Sequence, residues 1–214
     1  MEPLKISKIN LDNIIYTKTK YHKSKNRKII FMKYQDKSVL KNFVFQTPSL
    51  LNINKPKLIN GYYEIEIPLI TKNINKNDKF INFLNDLDNK ILYDARINSN
   101  EWFDKLNSNN INYQRIIRQA LDDENKNGMI KLKIIRTTDF ETLLQMNEKS
   151  NIDINDYPIN SWVKMILECG NIIISKKCVS LFLRPIILSL SDRIVENYNY
   201  KFIEESDDDN VNEN

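Results

Sequence analysis

Glycine is nearly missing from this chain of 214 residues: Gly61, Gly128 and Gly170 stand alone and far apart. A P-loop or a dinucleotide fingerprint needs several glycines in one short turn so that backbone can approach phosphate, and neither can be built here. Histidine is scarcer still. His22 is the only one, inside the basic run from Lys18 to Lys28, so a Ser-His-Asp triad, a Cys-His pair and an HExxH zinc site all lack a positioned imidazole. Cys169 and Cys178 are the only cysteines and sit in a segment that reads as buried strands. They supply neither a disulfide framework nor a zinc ligand set, and reduced, inert thiols are expected. No run approaches the roughly 18 to 20 apolar residues of a membrane span. Met1 to Asn13 alternates apolar and polar residues instead of forming a secretory core, so a soluble, intracellular protein is expected.

What survives these exclusions among enzyme chemistries is carboxylate-based metal hydrolysis. Its candidates are Glu64 and Glu66, on one face of a strand, and Asp122, Asp123 and Glu124, in a polar turn; both groups read as solvated surface. The chain is therefore read as non-catalytic, with no metal and no cofactor. Asn (31), Ile (32) and Lys (25) crowd out Ala (2), a bias toward AT-rich codons that weakens any argument from residue propensity alone.

Hydrophobic residues make up 41% of the chain and charged residues 28%, enough to bury a core in a domain of this length. The net charge of +4 hides a gradient. Residues 1–57 hold 13 Lys and Arg against 3 acids, residues 58–201 hold 19 of each, and residues 202–214 hold 6 acids and no base. A basic end, a neutral middle and an acidic tail suggest a polyanion-binding surface with its own acidic competitor. Lysine-rich loops that only keep the protein soluble would give the same arithmetic.

Residues 11–20 and 27–35 are β-branched and aromatic runs around a basic loop, a pattern that predicts a hairpin. Phe43 to Thr47 predicts a third strand ending at Pro48. Tyr62 to Leu69 alternates cleanly, with Tyr63, Ile65, Ile67 and Leu69 on the apolar face. Then the period changes: Phe80, Phe83, Leu84, Leu87, Ile91 and Ala95 fall at helical spacing, with Asn77 or Asp78 as cap. Asn98 and Glu101 fit a capping box for a short second helix with Trp102 and Phe103, and Tyr113, Ile116, Ile117, Ala120 and Leu121 predict a third. Strand 129–136 follows, and residues 139–146 read as a helix or an irregular crossover. Strands return at Trp162 to Glu168, Ile172 to Ser175 and Val179 to Leu190, with turns at Gly170 and Lys176-Lys177 and a bulge or edge at Pro185. The expectation is one mainly β domain over residues 1–201, an OB-fold-like antiparallel barrel with a helical insert at about residues 76–122, followed by a disordered acidic tail over 202–214.

Rings interleaved with cations on a sheet are what single-stranded nucleic acid needs, since bases stack on the rings and phosphates follow the cations. Lys18, Lys20, Tyr21, Lys23, Lys25, Arg27, Lys28, Phe31, Lys33 and Tyr34 occupy the first hairpin and form the candidate binding set. Either Phe43 or Phe45 is also expected at the surface.

Four short segments carry a resemblance. Phe45-Gln46-Thr47-Pro48, Gly61-Tyr62-Tyr63-Glu64-Ile65, Asn100-Glu101-Trp102-Phe103 and Val163-Lys164-Met165-Ile166-Leu167-Glu168 resemble the single-stranded DNA-binding proteins of nucleocytoplasmic large DNA viruses. The resemblance implies an OB-fold body with an acidic C-terminus, single-stranded DNA as ligand, replication proteins as partners of the tail, and a viral factory in the host cytoplasm or the virion as location. One departure stands out: tails of the related phage-type proteins end in an aromatic residue, whereas this one ends Val211-Asn212-Glu213-Asn214. The expected function is to coat single strands during replication, recombination or repair, with homo-oligomers as an option. The alternative is a virion structural or scaffold protein whose basic face packs against the genome or capsid proteins.

Overall fold

Branched apolar side chains recur at alternate positions along the last third of the chain, and there they build the longest hairpin of the fold. The computed structural model describes residues 2–17, 19–23, 26–103, 111–119, 127–146, 149–150, 152–175 and 178–194. Its strands are β1 (Leu4–Lys5), β2 (Ile14–Tyr16), β3 (Lys20–His22), β4 (Arg27–Asp36), β5 (Val39–Asn42), β6 (Val44–Gln46), β7 (Leu50–Asn52), β8 (Lys57–Ile59) and β9 (Tyr62–Pro68). Two helices follow, α1 (Ile74–Ile97) and α2 (Ser99–Trp102). The remaining strands are β10 (Asn112–Gln114), β11 (Ile117–Arg118), β12 (Met129–Ile134), β13 (Leu143–Met146), β14 (Lys149–Ser150), β15 (Ser161–Ser175) and β16 (Cys178–Arg193).

The β15–β16 hairpin is the spine of a twelve-stranded sheet. Along its free edge β15 pairs in turn with β7, β6 and β4, while β16 pairs with β10 and β13. β4 then carries β3 at one end and β2 and β5 at the other. A four-stranded sheet in the order β11-β12-β9-β8 completes the framework.

This architecture corrects the expected OB-like barrel. The fold is β-rich with one long helix and two sheets, and among the described residues neither sheet closes. Closure requires the first and last strands to hydrogen-bond to each other, whereas here the main path ends at β1 on one side and β14 on the other. The reason lies in strand length: a 15-residue β15 against a 16-residue β16 gives each strand more edge than one partner fills, so short strands attach in series and the sheet branches.

α1 matches its predicted apolar stripe, with Phe80, Phe83, Leu84, Leu87, Ile91 and Ala95 all buried. Its cap is Asn73, whose side chain accepts from the Lys76 N–H, while Asn77 is itself buried within the helix. The short α2 forms where expected, but Asn98 makes no side-chain cap, so the predicted capping box is absent. α1 lies on the inner face of the sheets: Phe83 meets Phe45 edge-on at 5.1 Å, and the Tyr16 hydroxyl donates to Asp94 Oδ2 at 2.6 Å. Both Phe43 and Phe45 are buried, which corrects the expectation that one of them reaches the surface.

The third predicted helix is replaced by β10 and β11. Tyr113 and Ile117 go into ladders with β16 and β12, and pairing with two existing strand edges overrides a helical spacing of apolar residues. Helix therefore ends at Trp102 in the described residues, short of the expected 122; Ala120, Leu121 and the acidic trio at 122–124 lie outside them. Residues 143–146 form a strand, not a helix, and β15 runs through Gly170 without the expected turn, the chain taking only a register shift between Cys169 and Asn171 against β16. Pro185 sits beside a register shift in β16, the expected bulge, but in a strand partnered on both sides. The Lys176-Lys177 turn and the 202–214 tail lie outside the described residues. Cys169 and Cys178 are both free, and burial pushes the Cys169 thiol well up.

Candidate nucleic-acid interface

Laterally paired residues share a face of a sheet, so the registers define a surface directly. Lys20 pairs with Ile29, Ile29 with Ile173, and Ile173 with Ser180. Phe31 pairs with Asn171, Asn171 with Phe182, and Ser180 with Gln114. Each of these side chains is half-buried or exposed. One position along, Ile30, Ile172, Ile174 and Val179 are buried on the other face. The outer face thus runs over β3, β4, β15, β16 and β10, and with strands about 4.8 Å apart it spans roughly 19 Å. Its centre is apolar and aromatic, Ile29, Phe31, Ile173 and Phe182, and the Lys20 ammonium lies over the Phe31 ring at 5.1 Å.

The predicted hairpin set divides by strand parity. Lys20, Arg27, Phe31 and Lys33 fall on the outer face, and the Lys33 ammonium donates to Asn42 Oδ1 at 2.6 Å. Arg27 Nε is buried and has no hydrogen-bond partner among the described residues, which leaves a charged donor unsatisfied at the edge of this face. Lys23 is exposed just after β3. Tyr21 and Lys28 pair with each other on the opposite face; Tyr21 is exposed and its hydroxyl donates to Asn26 in the turn. Tyr34 also faces inward. Its ring stacks on Phe43 at 5.2 Å and its hydroxyl accepts the Asn10 N–H at 3.0 Å, so Tyr34 is a core residue and cannot stack on a base. Lys18 and Lys25 lie outside the described residues.

Sequence reading missed the other flank. A cleft of about 380 Å³ opens between the β10–β11 turn, β12 and the β15–β16 hairpin, with Arg115, Arg118, Lys131 and Lys133 around it and Ile173 and Phe182 in its lining. Lys131 and Lys133 were foreseeable from the alternation of the strand at 129–134, which places them on the face opposite Ile130, Leu132 and Ile134. Arg115 and Arg118 were hidden by the helical reading of their segment.

Asp88 of α1 positions this turn from the core side. Its carboxylate accepts the Tyr113 hydroxyl at 2.7 Å and the Ile116 N–H at 3.0 Å. Burial pushes the Asp88 carboxyl up, while the Tyr113 and Ile116 hydrogen bonds and the charge of Arg115 oppose that. Once the Gln114 amide is oriented by its surroundings, its oxygen accepts from both Arg118 guanidinium nitrogens at 2.9 and 3.1 Å.

Glu64 is the carboxylate within the cleft lining. Far from the solvated surface expected, its side chain is only 11% exposed and it pairs with Lys131 at 2.6 Å and Lys133 at 3.2 Å. The Lys131 hydrogen bond first, and Lys133 with it, holds the Glu64 carboxyl below its ordinary range against the opposing effect of burial. Glu66 is exposed, as expected. Among the described residues no three His, Cys, Asp or Glu side chains cluster as a metal site would require. No helix among them is long and apolar enough to cross a membrane. No protein-family model matches the chain, and a search of curated proteins gives no match.

Proposed function

We propose that this protein binds single-stranded DNA without catalysis, on the outer face of β3, β4, β15, β16 and β10. The observation that carries the reading is the arrangement of that face: half-exposed Phe31 and Phe182 in the centre, Lys20, Arg27 and Lys33 on one flank, Arg115, Arg118, Lys131 and Lys133 on the other. Bases stack on rings whatever their identity, and flanking cations follow the phosphates. A duplex has its bases stacked internally and offers no free ring faces to such a platform. The resemblance to viral single-stranded DNA-binding proteins supports the same ligand, and with it a role in replication, recombination or repair in a viral factory, although the barrel it implied is not the fold.

The test is fluorescence anisotropy with labelled oligo(dT), with duplex as competitor, across a salt series. Log affinity for the single strand falls with log salt at about −0.7 for each phosphate neutralised, and duplex competes weakly. Equal affinity for duplex, or a flat salt response, contradicts the proposal.

A second reading, the structural or scaffold protein, has its own observation. Val39 and Leu40 on β5 are 61% and 51% exposed, and Leu58 on the edge strand β8 is 64% exposed. Apolar side chains at such sites suit packing against neighbouring subunits. Sedimentation at rising concentration separates the two: self-association that Leu58→Lys abolishes, with no oligo(dT) binding, favours the scaffold.

A further inference from the structure

We infer that the cleft beside Arg115 and Arg118 is a nucleotide subsite, taking the phosphate on the two guanidinium groups and the base on the floor beside Phe182. The inference builds on the strand-binding reading and adds to it a defined anchoring point that a free nucleotide can occupy.

Neither Arg115 nor Arg118 makes an ion pair among the described residues; the Arg118 guanidinium hydrogen-bonds the neutral Gln114 amide, and Arg115 acts on the buried Asp88 through its charge without pairing with it. Lys131 and Lys133 both pair with Glu64, and Lys131 also approaches Glu66 at 3.8 Å, so the lysines meet carboxylates at ion-pair distance while the two arginines do not. Planar guanidinium groups suit a phosphate, which they can grip with paired N–H donors. The β10–β11 turn that bears Arg115 is fixed from beneath, because Asp88 accepts the backbone N–H of the adjacent Ile116. Such a group loses little freedom on binding, and preorganisation raises affinity. The wall opposite supplies half-buried Ile173 and Phe182 and the hydroxyl of Ser180. At about 380 Å³ the cleft lies at the lower end of the range for small-molecule sites, roughly 300–1,000 Å³, the scale of a single nucleotide unit. An anionic site with no apolar wall would suit phosphate alone, and an apolar site with no cations would suit a nucleoside. The combination selects the two joined.

The experiment titrates the full-length protein with inorganic phosphate, thymidine and dTMP, following amide and side-chain NMR shifts, with oligo(dT) anisotropy run in parallel. The expected result is that dTMP binds at least tenfold more tightly than phosphate or thymidine, shifting resonances of Arg115, Arg118, Ile173 and Phe182. Arg115→Gln weakens both phosphate and dTMP about tenfold, and Phe182→Leu weakens dTMP about fivefold but leaves phosphate unchanged. Both variants alter side chains outside the buried core, and their unchanged amide spectra away from the cleft confirm folding. Equal affinity for phosphate and dTMP, or dTMP binding that neither variant alters, overturns the subsite even if oligo(dT) binds. If dTMP binds as described and oligo(dT) does not, the subsite stands and the strand-binding proposal fails.

Discussion

Phe31 and Tyr34 sit three positions apart on one strand, and parity alone separates their roles. Phe31 faces out beneath Lys20, so Phe31→Leu keeps most of the apolar packing and removes the ring. Oligo(dT) affinity is predicted to fall by about 1–3 kcal/mol for the base it stacks, with the salt slope unchanged. Lys20→Ala does the reverse, flattening the slope by a fraction of the roughly 0.7 per phosphate with a smaller loss of affinity. Tyr34→Phe removes the acceptor of the Asn10 N–H and is predicted to cost about 0.5–1.5 kcal/mol of stability in urea denaturation, with oligo(dT) binding untouched. Glu64 obeys a different rule. Its folded pKa is depressed by Lys131 and Lys133, so its stabilising contribution is present above the unfolded carboxylate pKa and is lost as pH falls through the lower folded value. Glu64→Gln therefore makes stability decline less steeply on the acid side, and it tightens oligo(dT) binding because a carboxylate leaves the cationic flank. Unfolding curves from pH 7 to 2, and anisotropy at pH 7, check both effects.

At the level of elements, what was legible in the sequence was whatever a single strand or helix needs from its own residues. The stripe of α1 and the alternation of β9 and β12 each follow from burial of one face, and the period states that face without reference to any partner. Partners are another matter. Tyr113, Ile116 and Ile117 have helical spacing, yet Tyr113 and Ile117 join edges of β16 and β12, with Ile116 in the turn between them, and no local pattern announces a free edge. The same blindness produced the barrel, since alternation tells which face is buried but not whether the last strand meets the first. It also hid half of the candidate site: strand parity brought Lys20 and Phe31 together on β3 and β4, whereas Phe182 reaches the same face through the β15–β16 ladder and Arg115 follows β10 there through the β10–β16 ladder. Asp88 joins the helix to that ladder. Asp88→Ala leaves the Ile116 N–H and the Tyr113 hydroxyl without their acceptor, and is predicted to destabilise the fold by about 1–3 kcal/mol while loosening the Arg115 turn. Hydrogen exchange at Ile116 should rise well above the change seen in α1; equal changes in both would mean that Asp88 does not hold the turn in particular.

For the whole molecule, the charge gradient gains a location. The basic N-terminal segment supplies one flank of the outer face, and the nominally neutral middle supplies the other, because Arg115, Arg118, Lys131 and Lys133 gather at one cleft while many acids of that middle lie elsewhere. On the proposed reading, the six acids of residues 202–214 compete for the same cations at an effective concentration set by their attachment. Deleting residues 204–214 is predicted to tighten oligo(dT) binding, more at low salt than at high, because screening weakens the tail as it weakens the strand; anisotropy of the two proteins at two salt levels measures it. The most direct test of the account is a map of contacts. An NMR titration of the protein with oligo(dT) is predicted to shift Lys20, Ile29, Phe31, Arg115, Ile173 and Phe182 together, leaving the Tyr21 and Lys28 face and α1 nearly still. Shifts centred on that opposite face or on α1, with the outer face silent, would contradict it.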